Sequence, residues 1–133
     1  MSNDLPEFYF RTRDNGAMVY RVDSENRQRR IDLDQIAVVN LNKGEIRPHG
    51  DHSLTEAETA AIEQWMDTRR ATLAAREFDD IRRTVDQLHH AAQWAQSRAT
   101  ADALEAVTDD LLLAMHDLRL VLVRKKADRL LKD

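Results

Sequence analysis

Two hydrophobic periodicities meet near residue 54. Before it, apolar and polar residues alternate and turn-forming residues recur every few positions. Beyond it, Gly and Pro are absent through Asp133, and apolar residues recur every three or four positions. Alternation lines the two faces of a strand, whereas the second spacing lines one face of a helix. The pattern predicts an α+β fold in a single domain: an N-terminal antiparallel β-meander of four or five strands over 1–54, then a long antiparallel helical hairpin.

The first strands are "EFYFRTR" and "AMVYRVD" around "DNG", Asp14 to Gly16. A two-residue Asn-Gly loop sets Phe10 opposite Arg21 and Tyr20 opposite Arg11. A three-residue loop pairs Phe8 with Val22, Phe10 with Tyr20 and Thr12 with Met18, and puts Gly16 in a left-handed bulge. Apolar pairing on one face favours the three-residue loop. The opposite face then carries Tyr9, Arg11, Arg13, Val19 and Arg21. Ile31, Leu33, Ala37, Val39 and Leu41 share the next parity, interrupted by Gln35. Ile36 and Val38 have the other parity, which predicts cover on both faces. "NKGE" at 42–45 turns the chain back through Ile46, and Pro48 ends that strand.

The helical half opens on a capping box, Thr55 with Glu58, with Ser53 and Glu56 at the same spacing. Ile62 and Trp65 are out of phase with the series Ala74, Phe78, Ile81, Val85, Leu88, Ala92 and Ala95. A bend or a change of packing partner is therefore expected within 67–72. A break at Ser97–Thr100 follows, with Thr100 capping a last helix that runs to about Leu131. In that helix Leu104, Val107, Leu111, Ala114, Leu118 and Val121 make one heptad seam. Leu113, Leu120 and Val123 lie on another side and are the candidate dimer interface. The 74–95 stripe is expected to cover one face. At a length on the order of 45 Å the helix exceeds what a small sheet shields. Surplus apolar surface of this kind predicts a homodimer through helices 74–97 and 101–131.

Composition narrows the classes. At 133 residues, 42% apolar and 33% charged, the chain reads as ordered, and its net charge of −4 gives no global pull toward nucleic acid. The absence of cysteine removes disulfides, thiolate catalysis and Cys-ligated zinc. "MSNDLPE" lacks the basic and apolar segments of a secretory signal, and "LLLAM" is too short to span a bilayer, so a cytoplasmic location is expected.

Chemistry is sparse. In "VDQLHHAAQWAQ", 85–96, His89 and His90 diverge by roughly 100° around a helix and do not converge on one ion. Asp86 with His90, or His89 with Gln93, falls short of a zinc ligand set. His49, Asp51 and His52 read as a polar loop before a helix cap, and His116 as a packed histidine. Phosphate-loop, nucleophile-elbow and His-Glu-x-x-His motifs are all missing. No catalytic, metal or cofactor site is therefore expected, and the chain is read as a non-enzymatic interaction module. The third reading is an enzyme or metal site centred on the histidines, and the second is nucleic-acid binding by a basic sheet face. Residues 11–30 hold six Arg against three acids. Tyr9, Arg11, Arg13, Arg21, Arg27, Arg29 and Arg30 are its candidate residues. Trp65 and Trp94 are expected as packing anchors.

Overall fold

A computed structural model describes residues 5–23 and 30–132. Its elements are strands β1 (Phe8–Arg13), β2 (Gly16–Asp23), β3 (Asp32–Asn40) and β4 (Glu45–Pro48), then helices α1 (Glu56–Ser97) and α2 (Ala101–Lys132). The strands form one antiparallel sheet in the order β1-β2-β3-β4. This is the expected α+β arrangement of a meander followed by a helical hairpin. The chain divides into two compact units, residues 1–79 and 80–133.

The first hairpin departs from both expected registers. Phe8 pairs with Arg21, Phe10 with Val19, Thr12 with Ala17 and Arg13 with Gly16, which leaves Asp14 and Asn15 as a two-residue turn. The reason is volume. This register turns Val19 and Ala17 toward α1, where both are buried, and sends the bulk of Tyr20 to the other face. Gly16 is not the left-handed residue; Gly44 (φ 65°) and Gly50 (φ 56°) are. Gly16 instead sits where the backbones of β2 and β3 approach closely. A Cβ there would collide with the Val39 carbonyl, and next to it the Leu41 N–H donates to the Asn15 carbonyl at 2.6 Å. Gly16→Ala is expected to destabilise the sheet by about 1–3 kcal/mol. A lowered urea midpoint with an unchanged slope would show this, and an unshifted midpoint would contradict it.

Gln35 interrupts the alternation because the β2–β3 register shifts there. Val19 faces Ala37 while the next residue, Tyr20, faces Gln35. The extra residue, Ile36, joins Ala37 in the core beneath α1. Before the shift, Ile31 and Leu33 are exposed. Val38 is exposed as well, which corrects the expectation of cover on both faces.

The core of the first unit is Val19, Ile36, Ala37, Val39 and Leu41 from the sheet, with Ile62 and Met66 from α1. Trp65 stacks on Phe10, their ring centroids 4.9 Å apart and nearly parallel, and so acts as the expected anchor. Arg70 donates to the Leu41 carbonyl at 3.1 Å. From Leu73 to His90 every α1 side chain is exposed. The phase shift at 67–72 thus marks the end of packing against the sheet, within a helix that continues unbroken to Ser97.

In the second unit the Trp94 carbonyl accepts the N–H groups of Arg98 and Ala99 as α1 ends. Thr100 caps α2, its Oγ1 accepting the Ala103 N–H at 3.2 Å. No helix among the described residues is long and apolar enough to cross a membrane.

Candidate functional site

Three places gather the functional side chains: the start of α1, the outer face of the sheet, and the apolar surface of the second unit.

At the start of α1, Glu58 is 2% exposed and fully engaged. Its Oε2 accepts from Arg21 Nη2 at 2.7 Å. Its Oε1 accepts the Thr55 N–H at 3.0 Å and lies 2.9 Å from His52 Nε2. The Thr55 hydroxyl accepts the Glu58 N–H in return, which completes the expected capping box. The Arg21 guanidinium is the main reason the Glu58 carboxyl is held down to about 2; the Thr55 N–H adds to this, burial opposes it, and His52 helps again. Arg21 also pairs with Glu7 at 2.9 Å and lies over the Phe8 ring. Sequence reasoning had Glu58 as a cap and missed it as the partner of Arg21. The missing signal was the hairpin register, which decides the face Arg21 occupies.

That register also splits the expected arginine face. Arg21 lies on the helix-facing side, whereas Tyr9, Arg11 and Arg13 share the outer side with Met18 and Tyr20. Arg11 stands over the Tyr20 ring at 4.8 Å from its centroid, which helps bury Tyr20 to 7% exposure. Arg13 Nη2 donates to the Met18 sulfur at 2.9 Å. One cross-strand row runs Arg11, Met18, Val38, Arg47, so the outer face gains a cation that was not anticipated. Arg30 pairs with Asp32 at 3.6 Å. Arg27 and Arg29 lie outside the described residues.

The third place is the apolar surface of the second unit. Where α1 turns into α2, Ala91, Trp94, Ala99, Ala103, Leu104 and Val107 are half-buried. A cleft of about 260 Å³ opens there between Leu88 and Ala92 on α1 and Val107, Leu111 and Met115 on α2. Cover ends at that elbow. From Thr108 to Lys132 every α2 side chain is exposed, and no α2 residue is buried. The expectation that the 74–95 stripe covers one face of α2 therefore holds only next to the turn. The proposed interface residues Leu113, Leu120 and Val123 are at least half exposed, Leu113 reaching 68%. The seam residues Leu111, Leu118 and Val121 are exposed too, as are Phe78, Ile81 and Val85 on α1.

His89, His90 and His116 are exposed, which corrects the expectation of His116 as a packed histidine, since among the described residues no other segment covers that stretch of α2. Among the described residues no three His, Asp or Glu side chains are grouped to hold a metal ion. Comparison with protein-family models, with curated proteins and with solved structures finds no match to this chain.

Proposed function

We propose that this chain is a non-enzymatic assembly module that forms a homodimer through the apolar surfaces of 74–97 and 101–131. The observation that carries this reading is α2 itself: its large apolar side chains lie on every side of the helix and none is buried. A surface helix in a monomer keeps one polar face toward water. Contiguous apolar surface on this scale marks an interaction site. Each large apolar side chain withdrawn from water contributes about 1.5–3 kcal/mol. A handful per copy outweighs an association cost of about 4–15 kcal/mol.

Two observations weigh against the other classes. Among the described residues Glu58 has the most perturbed carboxyl, yet its partners are a helix cap, a loop histidine and a strand arginine, a set that fits structural linkage. The outer sheet face lends less support to nucleic-acid binding, because Arg21 sits on the other side and Arg11 is spent covering Tyr20.

Light scattering behind size exclusion tests the proposal. A dimer mass at micromolar concentration is the expected result, and a monomer throughout would overturn it.

A further inference from the structure

We propose that α2 pairs with the α2 of a second copy in antiparallel orientation, acidic N-terminal half against basic C-terminal half. This rests on the homodimer proposed above and adds its geometry. The first observation is charge. Residues 102–110 hold Asp102, Glu105, Asp109 and Asp110 and no cation. Residues 119–132 hold Arg119, Arg124, Lys125, Lys126, Arg129 and Lys132 against one acid, Asp128.

Acids near a helix start and cations near its end are favoured by the helix dipole, but that effect fades within the first and last turn. Asp109, Asp110 and Arg124 lie about two turns inside the ends of α2. The polarity therefore extends past what the dipole accounts for.

The second observation is the exposed apolar surface between and among these charges. Residues 1–4, 24–29 and 133 contain a single apolar side chain, Met1. A second α2 offers a matching apolar surface. Crossing at Asp117, the one acid set level with its own copy, two antiparallel chains bring Asp102 level with Lys132 and Asp110 level with Arg124. The exposed run Leu111 to Val123 then overlaps its own reverse. Parallel pairing would set the cations of one copy against those of the other, which like-charge repulsion disfavours.

The chain has no cysteine, so single spin labels can be placed at Ala106→Cys and Asp128→Cys, both exposed. With a rise of about 1.5 Å per residue, each labelled homodimer should give a label separation of roughly 33 Å. A mixture of the two variants should add a short separation on the order of 10–15 Å, set by helix-to-helix spacing plus the label arms. Light scattering on the same samples separates the two proposals. A dimer with a short distance in either homodimer, or none in the mixture, overturns the antiparallel pairing and leaves the dimer standing. A monomer means that another partner covers α2, and overturns both.

Discussion

Glu58→Gln is expected to lower the unfolding free energy of the first unit by about 2–3 kcal/mol at neutral pH. The carboxylate is buried, and its ionised form is stabilised by Arg21, the Thr55 N–H and His52 together. Arg21 is partly open to water, so screening keeps the effect below that of a fully buried pair. The amide preserves size and one acceptor oxygen, which isolates the charge from the packing. The pH dependence follows from the same shift. Glu58 is held at about 2 when folded against an ordinary 4.5, so the unfolded chain takes up this proton first on acidification. Its contribution is complete above about 4.5 and is lost as pH falls through about 2. Urea unfolding of the parent should weaken across that window more steeply than unfolding of the variant. Parallel pH profiles would show that the carboxylate carries no such linkage.

Paired substitution of Leu113→Glu and Leu120→Glu should raise the dimer dissociation constant by at least a hundredfold. Both leucines are at least half exposed in the single chain, so the change removes little packing within it. In the dimer each substitution forfeits about 1.5–3 kcal/mol of apolar burial, twice over by symmetry, and adds a charge to desolvate. Glutamate is a good helix former, so α2 keeps its intrinsic tendency. Sedimentation equilibrium reads the constant, and far-ultraviolet circular dichroism at high protein concentration checks the secondary structure. An unchanged constant would remove Leu113 and Leu120 from the interface.

Much of the fold was legible because it rests on local chemistry. The Thr55–Glu58 capping box, the break at Ser97–Thr100 and the turn before β4 each depend on residues close in sequence, and each is where the pattern placed it. Register was not legible. Shifting the Asp14–Asn15 turn by one residue exchanges the faces of a whole strand, and the deciding factors are the small volumes at Gly16 and Ala17 beneath distant partners. The same error hid the Arg21–Glu58 pair and overstated the arginine face. Gln35 broke the alternation visibly, but only the pairing of Tyr20 with Gln35 and Val19 with Ala37 identifies a bulge. On the helices the apolar surplus of α2 was plain from its leucines. How little of it α1 covers was not, because hydrophobic spacing indicates which side chains need a partner and not whether two axes run close enough to supply one.

The link from Arg21 to Glu58 also ties together segments that are far apart in sequence. Every strand of the meander pairs with its sequence neighbour, so the sheet can zip through short loops. The join between β2 and the first turn of α1 spans 37 residues, and the Phe10–Trp65 stack reaches further still. Arg21 and His52 reach their positions only when the sheet and the 49–55 connection are both in place. With the ion pair closed, the start of α1 cannot fray without breaking contacts to two other segments.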